Sequence, residues 1–260
     1  MARRPLTHPA AHSPFLEHAL VLGWRPGHIL AILWAYLEET GPAGDLDGIV
    51  VGIGGLRTTC AAWSGFNGKW QEVLDSEGVD VLHMKHVYSG QHAPYRSWSD
   101  DKKTKFLLRL VDVIGPLGPP LGAMKSLPVH PRKRDHVGQA YRRACHECMR
   151  SALSCVPPDS KVHFVFARRL EISPPLLDQY HGWVIDAYTR VRDDGRVGQL
   201  VLGDPGDLPP LQAADLIASE LARHVRQPEA IHPSIERLRE MGRVSREYAR
   251  DVWRGARVEE

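Results

Sequence analysis

Apolar positions along the chain fall in blocks whose period changes from one block to the next. Residues 29–36 form a nearly continuous apolar run closed by Glu38-Glu39-Thr40-Gly41-Pro42. Its length and the turn signal behind it predict a buried strand. A second run, residues 49–53, follows the polar stretch 45–48, so the pair reads as a hairpin or as neighbouring strands. Trp63, Phe66, Trp70, Val73 and Leu74 then recur at helical spacing, up to Gly78. Residues 79–82 read as a short strand running into His83. Ser99-Asp100-Asp101 reads as a helix N-terminus, with acidic groups near the positive end of the helix dipole. Phe106, Leu107, Leu110, Val113 and Ile114 form that helix's apolar face. Residues 115–121, rich in Pro and Gly, read as a loop.

The second half repeats the mixture. A helix is expected from Val137 to Leu153. Val162, Phe164 and Phe166 alternate as in a strand, and Pro174-Pro175 opens a further helix. Residues 200–202 read as a short strand ending at Gly203-Asp204. Leu211, Ala214, Ala218, Leu221, Ala222 and Val225 form a helical stripe. Strands mixed with long helices predict an α/β fold with one main domain over residues 29–226. Residues 1–28, rich in Arg, Pro and His, read as a poorly ordered extension. Residues 227–260 read as a peripheral helical tail, amphipathic and arginine-rich from Ser234 to Trp253.

Composition narrows the class. The 260 residues carry 33 Lys and Arg against 31 Asp and Glu, a formal net charge of +2. That balance argues against a surface that binds nucleic acid by net charge alone, while leaving room for a local basic patch. Four cysteines do not make a disulfide scaffold at this length, which points to a reducing cytoplasm. The longest apolar stretch, residues 29–37, is far short of the ~20 residues that cross a bilayer. No membrane span is therefore expected.

Three motifs lose their apparent chemistry when spacing is considered. Cys145-His146-Glu147-Cys148 has a C-x-x-C spacing, but no second pair completes a zinc site. Tyr141, Cys145, Cys148 and Ala152 fall on one helical face, so the thiols read as small buried hydrophobes. Gly52-Ile53-Gly54-Gly55 lacks the dinucleotide-binding pattern, and residues 65–69 are too short for a phosphate loop. Arg132, Lys133 and Arg134, with Arg142 and Arg143, form a basic cluster beside His130 and His136. Its plain reading is a solvated face; its functional reading is a landing patch for nucleic-acid phosphates.

The acidic residues keep theirs. Glu38 and Glu39 stand at the C-terminal end of the first strand, beside the crevice where α/β sheets habitually hold ligands. Gln212 and Asp215 are three apart, so one helical face presents both. Asp215 also interrupts an apolar stripe, where an acid is costly unless paired, protonated or metal-bound. A satisfied core acid, a helix cap and a functional carboxylate all fit that position.

Tyr36-Leu37-Glu38-Glu39-Thr40-Gly41 resembles the strand-ending "Y-x-D-E-S-G" of a bacterial family catalogued as domain of unknown function 3800. Leu82-His83-Met84-Lys85, followed by Trp98-Ser99 opening a helix, resembles that family's "F-H-M" and "W-S" segments. Leu202-Gly203-Asp204 through Gln212-Ala213-Ala214-Asp215 is similar to its closing "Q-x-x-D" helix. The resemblance spans about residues 31–226 in unchanged order. It implies a ribonuclease-H-like fold and a metal-dependent nuclease-type site.

On that reading, Glu38, Glu39 and Asp215 would converge to hold Mg²⁺ or Mn²⁺, with Asp204 as an added ligand. His83 would position substrate or move a proton, and Gln212 would orient a ligand or water. Three positions depart from the family: Glu38 stands where Asp is usual, and His86 and Ala167 stand where an acid is frequent. These departures are compatible with one ion, with altered chemistry or with lost catalysis. The expected function is a metal-dependent phosphodiesterase or nuclease. The alternatives are an inactive module that binds nucleic acid or a protein, and a small-molecule hydrolase on the same scaffold.

Overall fold

Alternating and helical periods resolve into a mixed sheet with helices on both sides. A computed structural model describes residues 32–40, 49–118, 120–127, 134–154, 156–168, 174–230 and 232–240. The expected N-terminal extension, residues 1–28, and the end of the tail lie outside these. The strands are β1 (Ile32–Thr40), β2 (Ile49–Thr59), β3 (Pro120–Leu127), β4 (Lys161–Ala167) and β5 (Val197–Gly203). The first three helices are α1 (Cys60–Ser76), α2 (Met84–Ser89) and α3 (Asp100–Ile114). Then come α4 (Arg134–Ser154), α5 (Pro174–Val191), α6 (Pro209–Arg226) and α7 (Pro233–Glu240).

The sheet order is β3-β2-β1-β4-β5. β2 runs antiparallel to both β1 and β3, whereas β1, β4 and β5 are parallel. One side of the sheet is covered by α4 and α5. There Val51, Ile53, Val162, Phe164 and Phe166 pack with Ala144, Cys145, Cys148, Met149 and Val184. Both cysteines are fully buried, and burial pushes the Cys148 thiol up to about 12. A thiol held protonated in an apolar core is packing material, as the helical spacing indicated.

Helix α6 covers the other side. Its contact with β2 is made by small residues: a β-carbon at Gly54 would lie 2.5 Å from the Ala218 Cα. Only hydrogen fits between the two backbones, which is a usual reason for glycine inside a strand. Helix α7 packs against α3, with Ile235 and Leu238 buried and Arg237 paired to Asp112 at 2.8 Å.

Three local expectations are corrected, and one element is added. Residues 79–82 form no strand. The stretch 115–121 is a 3-10 turn, Gly115–Leu117, followed by the start of β3. β3 lies at the sheet edge, where Pro and Gly are tolerated, so its composition disguised it. α2 went unforeseen because six residues are too few to show a period. β1 continues through Glu38, Glu39 and Thr40, because β2 supplies partners as far as Gly52.

Gly54→Ala should lower unfolding stability by about 1–3 kcal/mol, because the added methyl overpacks a backbone contact that cannot yield. Gly68→Ala on the exposed face of α1, where a β-carbon meets nothing within 4 Å, should instead raise it by about 0.5–1 kcal/mol. Urea unfolding of the two variants measures both, and a neutral Gly54→Ala would remove the close-contact argument.

Candidate functional site

Pro209 and Pro210 occupy the first turn of α6, where their missing amides have no intrahelical role. Three polar side chains along the helix then fasten the segment 82–88. Gln212, 2% exposed, accepts from the Leu82 amide at 2.9 Å and from the Trp70 indole at 3.2 Å. Its own amide nitrogen donates to the Pro205 carbonyl at 2.8 Å. Asp215 Oδ2 accepts from the Met84 amide at 2.8 Å, and Oδ1 from the Ser219 hydroxyl at 3.1 Å. Glu220 accepts from the Tyr88 hydroxyl.

The middle contact has a clear cause. His83 is the N-cap of α2 but makes no side-chain cap bond, so the first amide of α2 needs an acceptor from elsewhere. Asp215 supplies it, with its charge at the positive end of the helix. The Leu82-His83-Met84 and Gln212-x-x-Asp215 motifs, some 130 residues apart, are thus two halves of one contact. Of the readings open for Asp215, the helix-cap role is realised, and the carboxylate remains half-buried rather than sealed in.

Electrostatics around this contact are unusual. Glu220 is fully buried, and burial pushes its carboxyl above the ordinary range against the opposing pull of Arg223. Burial, reinforced by the charge of Asp215, pushes the Tyr95 hydroxyl up to about 12. That hydroxyl is buried and has no hydrogen-bond partner among the described residues. The same segment carries a row of imidazoles. The His83 and His86 rings lie 5.2 Å apart, and those of His86 and His92 stack at 3.9 Å with a 31° tilt.

The first-strand acids separate. Position 38 is registered with Gly54, which meets Ala218, and Ala218 is one turn from Asp215. Position 39 is registered with Ile53, whose side chain belongs to the core under α4 and α5. Strand neighbours alternate between faces, so the two positions expected to act together belong to opposite sides of the sheet. Position 38 shares a side with Asp215, and position 39 does not.

Other expected residues are engaged elsewhere. Asp204 Oδ1 accepts from the Gly206 amide at 2.8 Å, shaping the turn that leads into α6. Gln212 is satisfied by the protein on both polar ends, so it braces the site rather than facing a ligand. Arg142 and Arg143 ride on α4, across the sheet from Asp215, and Arg143 pairs with Glu147 at 3.8 Å. Arg142 and Arg143 therefore do not line the Asp215 side. Arg132 and Lys133 lie outside the described residues, and of Arg134 only the backbone, opening α4, is described. Ala167 ends β4 buried opposite Gly203, and His86 sits on α2. Among the described residues no three His, Cys, Asp or Glu side chains converge to hold a metal.

Glu220 and Tyr95 were not anticipated. An acid between Ala218 and Leu221 on an apolar stripe was the available signal for Glu220. Nothing in local spacing marked Tyr95.

No protein-family model matches the chain, and no curated protein matches it. Among solved structures it is similar to a mutant protein of Bst-RNase HIII, with a TM-score of 0.34 and 12% identity. That alignment covers 86% of this chain and 65% of the other, so this chain spans less than two thirds of that protein's length. It is also similar to Bst-RNase HIII in complex with Mn²⁺, with a TM-score of 0.36, 12% identity, and coverage of 92% and 75%.

Because the folded Glu220 carboxyl holds its proton more tightly than the unfolded chain does, its stabilising contribution is complete in acid. It is lost as pH rises from the ordinary carboxylate value of ~4.3 through the raised folded value. Glu220→Gln keeps an acceptor for Tyr88 and removes this loss. The variant's melting temperature should rise relative to the parent's as pH increases from about 4, and a pH-independent difference would contradict the assignment.

Proposed function

We propose that the chain is a divalent-metal-dependent phosphodiesterase of the ribonuclease-H-like type, acting on nucleic acid, and a member of the family its motifs resemble. One observation carries this reading. The Gly54–Ala218 contact sets the helix bearing Asp215 over the strand position occupied by Glu38. An acid position on the first strand and an acid from the closing helix are thereby assigned to one side of the sheet.

The donor chemistry fits a hard cation. Asp215 is half-buried and offers carboxylate oxygens, the ligand type that Mg²⁺ and Mn²⁺ prefer. The Tyr95 hydroxyl, close enough to feel the charge of Asp215, adds a polar group awaiting a partner. Glu38 and Asp215 would hold the ion, which when bound would polarise a phosphoryl oxygen and activate water. With position 39 on the other face, Asp204 turned into its own loop and Ala167 in place of an acid, the remaining carboxylates suit a single ion.

The chain's own residues supply orientation. The Met84 amide and the Ser219 hydroxyl lock the Asp215 carboxylate, so it need not reorganise when a ligand arrives. Gln212 acts as a positioning residue, anchoring Leu82 and so the backbone before His83. His83 stands next to the amide that Asp215 caps, where it can hold a phosphate oxygen or a proton. A second reading, a module that binds nucleic acid without cleaving it, is favoured by one position. Ala167 is buried at the end of β4, where the family its motifs resemble frequently carries an acid.

Mn²⁺ should raise the melting temperature of the protein, and Asp215→Asn should abolish that rise while retaining an acceptor for Met84. Cleavage of single-stranded, duplex and hybrid oligonucleotides should require Mg²⁺ or Mn²⁺ and fall by about 10³-fold in Asp215→Asn, ~4 kcal/mol of transition-state stabilisation. Binding of oligonucleotides without stabilisation by metal or any cleavage would sink the hydrolase and leave the binding module.

A further inference from the structure

Helix α2 buries Met84 and Val87 and turns Lys85, Tyr88 and Ser89 outward, with His86 half-buried. Three features mark this outer face. The imidazoles of His83, His86 and His92 form a row that begins at the residue preceding the Asp215-capped amide. Tyr88 stays 41% exposed although its hydroxyl is held by Glu220 and the Arg223 guanidinium sits over its ring at 5.3 Å. Lys85 is exposed on α2 itself, and exposed Arg96 is tied to the far end of the row, its amide donating to the His92 carbonyl at 2.9 Å. Flat π-faces interleaved with cations are what a polyanion with unstacked bases requires.

We propose that the outer face of α2 and the residues flanking it form a track for single-stranded nucleic acid leading to Asp215. Bases stack on the His86–His92 pair and on Tyr88, while Lys85, Arg96 and Arg223 meet the backbone. This rests on the nucleic-acid reading of the site and specifies the strand state of its substrate. A duplex keeps its bases stacked within itself and cannot use the rings. The track excludes Arg142 and Arg143 of the expected landing patch, which lie across the sheet.

Rigidity supports the assignment. α2 is short, yet Gln212, Asp215 and Glu220 fasten Leu82, Met84 and Tyr88 to a buried helix. The backbone that carries its outer side chains, and the Tyr88 ring, are therefore held in place before any ligand arrives, which lowers the ordering cost of binding.

The test measures fluorescence anisotropy of a labelled oligothymidylate, and of a duplex of equal length, with the full chain in EDTA. The oligothymidylate should bind more tightly than the duplex. His92→Ala should weaken it about tenfold, at the lower end of the stacking range. Lys85→Ala combined with Arg96→Ala should reduce the slope of log K against log salt by about 1.4, two phosphates at ~0.7 each. Unchanged melting temperatures for these exposed positions keep folding out of the comparison.

Preference for the duplex, or affinity and salt slope indifferent to these changes, would overturn the track. So would a loss that follows Arg142→Ala and Arg143→Ala instead. Because the metal is chelated, the outcome is independent of cleavage. Binding with no hydrolysis sinks the enzyme and keeps the track, and hydrolysis of a small phosphodiester with no oligonucleotide binding does the reverse.

Discussion

The closeness of two backbones governs this molecule. Where Gly54 of β2 meets Ala218 of α6, there is no room for a β-carbon. Close packing of this kind leaves a helix little freedom to slide or roll, because the buried Ile217 and Leu221 beside the contact are larger and would collide. The height of α6 over the sheet therefore sets where Gln212, Asp215 and Glu220 stand. Position 38, registered with Gly54, is bound into the same arrangement. A strand position and a helix acid are set on one side of the sheet by the smallness of two residues that carry no chemistry.

From that fixed helix the polar contacts follow in order. Gln212, Asp215 and Glu220 take up Leu82, Met84 and Tyr88. Each bond is modest in net terms, about 0.5–1.5 kcal/mol, but a buried group left without its partner costs ~1–3 kcal/mol. Gln212 shows the asymmetry best, since it answers an indole, a backbone amide and a carbonyl at once. Without these bonds a six-residue helix would have little reason to persist in water. The segment between α1 and α3 is thus ordered by a helix more than a hundred residues away.

This explains what could be read from the chain and what could not. Elements with a core of their own were legible: the alternation of Val162, Phe164 and Phe166, the thiol-bearing face of α4 and the apolar stripe of α6 all signal burial through period alone. Elements ordered by distant partners were not. β3 owes its state to its pairing with β2, and α2 owes its state to α6. The site was legible in kind more than in arrangement. Asp215 stood out as an acid on an apolar stripe, and Glu38 as a strand-end acid. The separation of position 38 from position 39 needed the register, because a pair of adjacent acids looks like a cluster until its strand is known to continue through it. Glu220 and Tyr95 become chemically interesting only through burial, which a local window does not report.

On the proposed reading Asp215 would bear two duties that are usually divided. As the acceptor for the first amide of α2 it is structural, and on the proposed reading the same half-buried carboxylate, on the position-38 side of the sheet, would also hold a ligand. The duties are compatible because a carboxylate has two oxygens and about four acceptor positions. The amide binds one oxygen and the Ser219 hydroxyl the other, and together they fix the plane of the carboxylate. An arrangement of this kind couples occupancy of the site to the seating of α2. A charge bound at Asp215 would compete with the dipole of α2 for the same carboxylate, and the imidazole row begins on the element that would respond. On the proposed reading the track and the carboxylate would be parts of one mechanical unit, since the segment that carries His83 and His86 is seated by Asp215 itself.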